Sequence, residues 1–145
     1  VPHSFKSELL SGTHNFANGG DSFKLALYTA GSGSPYAATA TVYDSSVSNE
    51  VSTSAPNAGY TTGGLALGSQ AVVTGTGTAT VDFANLNFPS ATFSAAYGVI
   101  YNDDKSDKLC VVLDFGGTKT ATNGDFTIVF PDPSTPSNAI ISLTS

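Results

Sequence analysis

The stretch AAYGVIYNDDKSDKLCVVL, residues 95–113, decides the fold class. Residues 96–101 and 108–113 are runs of β-branched, aromatic and other apolar residues, and a polar segment separates them. Asparagine and aspartate tolerate the backbone angles of tight turns, so this pattern predicts a β-hairpin. Cys110–Leu113 is apolar without alternation, which is typical of a strand covered on both faces.

Further strand patterns flank this hairpin. Ser22–Thr29 alternates, with Phe23, Leu25 and Leu27 on one face, which predicts a half-buried strand. The Asn123-Gly124 pair predicts a turn into another strand, and the prolines near residue 133 predict a loop before the last one. The remaining predicted strands are residues 41–43, 50–52, 65–67, 70–74, 79–83, 125–130 and 139–143.

Helical spacing is confined to residues 4–16. Phe5 and Leu9 fall four residues apart, and Ser4 is a candidate N-cap, which predicts one or two helical turns. Fifteen glycines and seven prolines divide the rest into short pieces without a shift in composition. We therefore predict an all-β protein, a single-domain antiparallel sandwich, jelly roll or small barrel. Residues 1–16 form an N-terminal arm or short helical segment, and residues 17–145 form the β domain.

Charge excludes several classes of partner. Charged residues make up 11% of the 145 residues, and the net charge is −6, with five lysines and no arginine. A nucleic-acid-binding protein needs a basic surface to displace counterions from phosphates, and an anionic membrane attracts basic segments. The apolar runs are also shorter than the ~20 residues of a membrane-spanning helix. We predict neither a nucleic-acid nor a membrane partner.

Processing and redox signals are few. The single cysteine, Cys110, excludes an internal disulfide, and the absence of methionine predicts removal of the initiator residue. Residues 1–10 do not resemble a secretory leader. We therefore expect synthesis in a cytoplasm.

No catalytic set emerges from the residues. The only histidines, His3 and His14, lie in the N-terminal segment, where we expect them to be exposed or loosely packed. A histidine there is more often solvated or internally hydrogen-bonded than catalytic. Cys110 lies in an apolar strand pattern, and we interpret it as a buried, unreactive thiol. No cysteine and histidine spacing fits zinc. We predict no catalytic residue, no cofactor and no metal.

The carboxylates suggest two weaker hypotheses. Asp103, Asp104 and Asp107 resemble part of a calcium loop, but Lys105 and Lys108 interrupt them and no glutamate closes the set. A solvated hairpin tip is the simpler interpretation.

Three other aspartates, Asp82, Asp114 and Asp125, each precede a phenylalanine. Two of them could face each other as a glycosidase pair. An outward-facing acid beside an inward-facing ring explains the same pattern, and we favour it.

Eight segments spread over most of the chain share a pattern with known proteins: residues 4–16 (SFKSELLSGTHNF), 21–28 (DSFKLALY), 48–51 (SNEV), 59–64 (GYTTGG), 91–93 (ATF), 98–103 (GVIYND), 113–117 (LDFGG) and 123–128 (NGDFTI). In these segments the chain resembles a family of small β-rich structural proteins of tailed bacteriophages. The resemblance implies a fold and a non-enzymatic virion role, not an active site.

The resemblance implies a capsid cement or decoration protein on the outer surface of the virion head, made in the host bacterial cytoplasm. Its partners would be the major capsid protein and further copies of itself, as a dimer or trimer. The N-terminal arm is one candidate contact, although Phe5 and Leu9 could equally pack on the chain's own core. The candidate contact residues are Phe5, Leu9, Tyr36, Tyr43, Tyr60, Pro133 and Pro136.

Two alternatives stay open. A tail, fibre or baseplate adaptor subunit would use a similar β domain. A carbohydrate-binding module would use some of the six tyrosines as a platform for a glycan, although tyrosine suits sheet faces and protein interfaces equally well.

Overall fold

Two antiparallel sheets form the body of the protein in a computed structural model that describes residues 1–31 and 33–145. The elements are α1 (His3–Leu10), β1 (Phe23–Tyr28), β2 (Leu65–Ala66), β3 (Ala71–Gly75), β4 (Thr78–Asp82), β5 (Leu86–Asn102), a 3₁₀ turn (Asp103–Lys105), β6 (Lys108–Ile128) and β7 (Ile141–Thr144). The strand orders are β2-β1-β5-β6 and β3-β4-β7. The predicted all-β sandwich with a short N-terminal helix is confirmed.

The hairpin of β5 and β6 is the longest feature of the fold. It includes the predicted hairpin but extends from the Asn102–Lys108 pair back to the Leu86–Ile128 pair. At its tip, the non-glycine residues Ser106 and Asp107 have φ angles of 56° and 58°. This left-handed conformation reverses the chain direction, which confirms the turn predicted from the polar segment.

The predicted turn at Asn123–Gly124 is wrong, because both residues lie inside β6. Thr92 of β5 faces two residues of β6, Thr122 and Asn123, so the ladder contains a bulge. Asn123 has a φ of 49°. A bulge and a turn both need a residue that tolerates this region, which explains why the pair predicted the wrong feature.

Two predicted strands are absent from the described residues. Residues 41–43 and 50–52 make only isolated bridges, Val42 with Lys108 and Glu50 with Tyr28. Side chains and a few backbone hydrogen bonds hold this segment to the sheet, without a continuous ladder. The other predicted strands are found, with small shifts at their ends, as β2, β3, β4 and β7.

Strand β1 is covered on both faces, where a half-buried strand was predicted. Phe23, Leu25 and Leu27 belong to the main core. On the opposite face, Ala26 and Tyr28 are fully buried in a second cluster that includes residues of the segment between β1 and β2.

Helix α1 packs on the body of the protein. Phe5 is buried and its ring lies 6.2 Å from that of Phe16, which stacks on Phe23 at 4.4 Å. Ser4 is not the N-cap, because the helix begins after Pro2 without a side-chain cap. Within the described residues, no helix combines the length and apolarity needed to cross a bilayer.

The proline-rich segment between β6 and β7 forms the predicted loop. It lies beside β4, where the Thr80 hydroxyl donates a hydrogen bond to the Pro133 carbonyl at 3.0 Å. Thr80 is consequently buried although it is polar.

Candidate functional site

A groove of about 780 Å³ opens along the outer edge of β6. Its walls come from two parts of β6, on either side of Gly116 and Gly117, and from the segment that leads into β7. Its apolar lining includes Leu113, Phe115, Phe126, Ile128, Phe130 and Ile140. Polar and apolar groups line it in similar measure, and a concave surface of this size is a candidate binding site.

The groove is open because β6 is an edge strand. β5 pairs with one side of it, and residues 41–43 cover only the start of the other. There the Leu109 amide donates to the Thr41 carbonyl at 2.9 Å, and the Tyr43 amide donates to the Asp107 carbonyl at 2.8 Å. In the described part of the chain, no strand pairs with the outer edge beyond Leu109.

Three exposed charges lie at the groove: Asp114, Lys119 and Asp125. Asp125 accepts a hydrogen bond from the side-chain amide of Asn87 at 3.1 Å, and Asp114 accepts one from the Gly116 amide at 2.8 Å. None of the three charges joins an ion pair among the described residues. The rim therefore has an excess of negative charge.

A second polar cluster lies beneath α1 and is largely buried, with the partly exposed Lys108 at its outer end. Glu8 accepts hydrogen bonds from His14 Nε2 at 3.0 Å and from Lys108 Nζ at 2.8 Å. Asn102 Nδ2 lies 2.9 Å from both His14 Nδ1 and Asp21 Oδ2. Because the carboxylate of Asp21 can only accept, it fixes this amide as a donor. His14 Nδ1 is then an acceptor, and its Nε2 carries the proton that faces Glu8.

The prediction that His14 is exposed or loosely packed is wrong: its side chain is 0% exposed. Burial alone would raise the pKa of Glu8, but hydrogen bonds from Lys108 and His14 outweigh it and hold the pKa below its usual value. Cys110 Sγ lies 4.0 Å from His14 Nδ1, yet burial raises the pKa of the thiol. With both histidine nitrogens engaged and the thiol protonated, this cluster is built to hold α1.

A third cluster centres on Glu50. Its carboxylate accepts hydrogen bonds from the hydroxyls of Tyr43 at 2.9 Å and Tyr60 at 2.7 Å, and from the Gly63 amide at 2.7 Å. Tyr43 stacks on Tyr101 with ring centroids 4.5 Å apart. Burial and the nearby carboxylate raise the pKa of Tyr43 and Tyr60, which keeps both hydroxyls protonated as donors. Glu50 thereby fastens the segment between β1 and β2.

The tyrosines do not form an exposed platform. Tyr28 and Tyr36 are buried with their hydroxyls 3.1 Å apart, and the Tyr36 oxygen also accepts from the Asp44 amide at 2.8 Å. Tyr60 and Tyr101 are buried as well, and the remaining two are half-buried.

The predicted contact residues are divided between the core and the surface. Phe5, Tyr36 and Tyr60 are buried in the chain's own clusters, so in this conformation they have little area to offer a partner. Leu9 and Tyr43 are half-buried on α1 and on the segment between β1 and β2. Pro133 and Pro136 are half-buried in the loop before β7. For these four residues, contact with a partner stays a prediction.

The acidic hairpin tip has a structural role. The Asp103 carboxylate accepts from Lys24 Nζ at 2.9 Å, and that of Asp104 accepts from the Ser22 amide at 2.7 Å. Both contacts tie the tip to the start of β1. No group of three or more histidine, cysteine, aspartate or glutamate side chains in residues 1–31 and 33–145 is placed to hold a metal ion.

The residues at the centres of the two buried clusters were not predicted. Glu8 and Glu50 are the only glutamates of the chain. Their rarity, and the apolar residues that follow each of them, are the signals that could have drawn attention to them. No protein-family model, curated protein or solved structure matches this chain.

Proposed function

We propose that this protein is a non-enzymatic structural protein of a tailed-phage virion, a capsid cement or decoration protein that binds the outside of the head. The observation that carries the proposal is the unpaired edge of β6 beside an apolar groove. An exposed strand edge offers a row of free backbone donors and acceptors, which is a template for another chain. Because the sequence resembles phage structural proteins, we propose that this other chain belongs to the major capsid protein.

The distribution of charge supports a position on the outside of the head. A net charge of −6 without arginine would be repelled by packaged DNA, whereas it suits a surface that faces solvent. The clusters around Glu8 and Glu50 hydrogen-bond to other parts of the same chain. They favour a rigid binding domain.

A tail, fibre or baseplate adaptor is the second candidate, because the same open edge would serve there. The glycan-binding alternative loses its proposed platform, since the tyrosine rings are buried or half-buried.

The deciding experiment is quantification of the chain against the major capsid protein in purified virions. Copy numbers of similar size are expected for a cement protein, together with heads that burst at a lower temperature once it is stripped. A few copies per particle would move the protein to the tail, and its absence from the particle would overturn the proposal.

A further inference from the structure

We propose that the outer edge of β6 binds an extended segment of another protein by strand addition, and that this segment alternates apolar with basic residues. The inference deepens the proposed function and rests on it, because it names the surface and the chemistry through which the protein holds a partner. It needs no particular place in a virion.

The backbone of β6 supplies the first part of the argument. Beyond Leu109, the described residues leave its outer side without a strand partner. The bulge that includes Gly116 and Gly117 interrupts the ladder with β5, between the Tyr97–Asp114 and Ala95–Lys119 pairs. The C-terminal part contributes more of the groove lining, and the bulge opposite Thr92 divides it into two regular runs, residues 119–121 and 126–128. A peptide added there would gain main-chain hydrogen bonds, the usual source of affinity in strand addition.

The groove supplies the second part. Phe126 and Ile128 belong to the core and form the floor of the groove, whereas Val129 and Val1 are 70% and 56% exposed beside it. Apolar side chains of this size beside a free edge invite aggregation unless something covers them. In an added strand every second side chain points to one face, so its apolar residues would enter the groove together.

Charge selects the occupant. Asp114 and Asp125 lie at the edge without a cationic partner among the described residues, and Lys119 offsets only one of them. A second copy of this chain would bring the same acidic edge and a further net charge of −6. Like charges across an interface oppose association, whereas lysine or arginine side chains at the rim would pair with the two carboxylates.

The test uses the full chain and a blocked synthetic peptide of alternating valine and lysine, with affinity measured by titration calorimetry. Two matched peptides serve as controls, one with glutamate in place of lysine and one with N-methylated backbone nitrogens. We expect the valine–lysine peptide to bind more tightly than either control and to slow amide exchange in residues 119–128. N-methylation should weaken binding by about tenfold, the equivalent of one or two hydrogen bonds.

Two variants separate the site from general charge effects. Asp125→Lys should weaken the valine–lysine peptide by about fivefold, as expected for reversal of a rim charge. Asp44→Lys makes the same change of charge at an exposed position outside the groove and should leave the affinity unchanged.

The remaining outcomes overturn the inference. Failure of the valine–lysine peptide to bind, equal binding of the N-methylated peptide, or protection of another strand would each do so. Sedimentation of the free chain as a dimer with β6 protected would show that a second copy covers the edge. Peptide binding at β6 in a protein absent from virions would leave this inference standing while the cement function fell.

Discussion

Removal of the Glu50 carboxylate should detach the segment between β1 and β2 from the sheet. Glu50→Ala leaves three donors without their acceptor: the hydroxyls of Tyr43 and Tyr60 and the amide of Gly63. Tyr60 is buried, whereas Tyr43 is half-buried and can recover a hydrogen bond from solvent more readily.

The size of the effect follows from these contacts. A hydrogen bond to a charged group contributes about 1.5–3 kcal/mol, and a buried donor without a partner costs about 1–3 kcal/mol. With Tyr43 discounted, Glu50→Ala should lower the free energy of unfolding by about 3–5 kcal/mol. Glu50→Gln keeps an oxygen for Tyr60 and Gly63, so its loss should be only about 1–2 kcal/mol.

Urea unfolding followed by tyrosine fluorescence measures both values, since the chain contains no tryptophan. Asp44→Asn is the matched control, because its exposed carboxylate bonds only to Ser46 and the change should stay within about 0.5 kcal/mol. A loss for Glu50→Ala no larger than that of the control would refute the role of Glu50.

Three further predictions concern α1 and the core. Glu8 and Asp21 have folded pKa values below their usual 4.5 and 3.8, so the stability they contribute is present above those values. This stability should be lost as the pH falls through the lower pKa values of the folded state. Unfolding curves across acidic pH should therefore show a smaller loss of stability for Glu8→Gln than for the unchanged protein. Phe5→Ala should cost about 3–5 kcal/mol and Leu10→Ala, at an 88% exposed position, less than about 0.5 kcal/mol; equal losses would contradict the packing of α1. The buried Cys110 thiol should react with a disulfide reagent only when the protein unfolds, so rapid labelling of the native protein would contradict its position.

Local patterns were sufficient for most of the strands, although residues 41–43 and 50–52 make only isolated bridges. Alternation at residues 23–27 and 79–83 and the polar tip at 102–107 report on neighbours in the chain, and the structure contains the corresponding elements. The Asn123-Gly124 pair shows the limit of such signals, because left-handed backbone serves both a turn and a bulge. Only the ladder with β5 decides between them.

The buried clusters could not be predicted because their partners lie far away in the sequence. His14 is enclosed by Asn102, a separation of 88 residues, and Glu8 bonds to Lys108 across 100 residues. A histidine in a polar N-terminal segment gives no local sign of this. The buried tyrosines were missed for the same reason, since their hydroxyls find partners only in the folded chain.

Taken together, the contacts divide the polar groups of the protein into two kinds. The only two glutamates fasten the two longest segments outside the sheets, α1 with its following turn and the chain between β1 and β2. Asp114, Lys119 and Asp125 have no ion-pair partner among the described residues and lie along the one long strand edge bordered by an apolar groove. A partner that binds only the native state stabilises it by mass action. Such a partner at β6 would raise the melting temperature without altering either glutamate cluster, because the contacts it needs are separate from those that hold the fold.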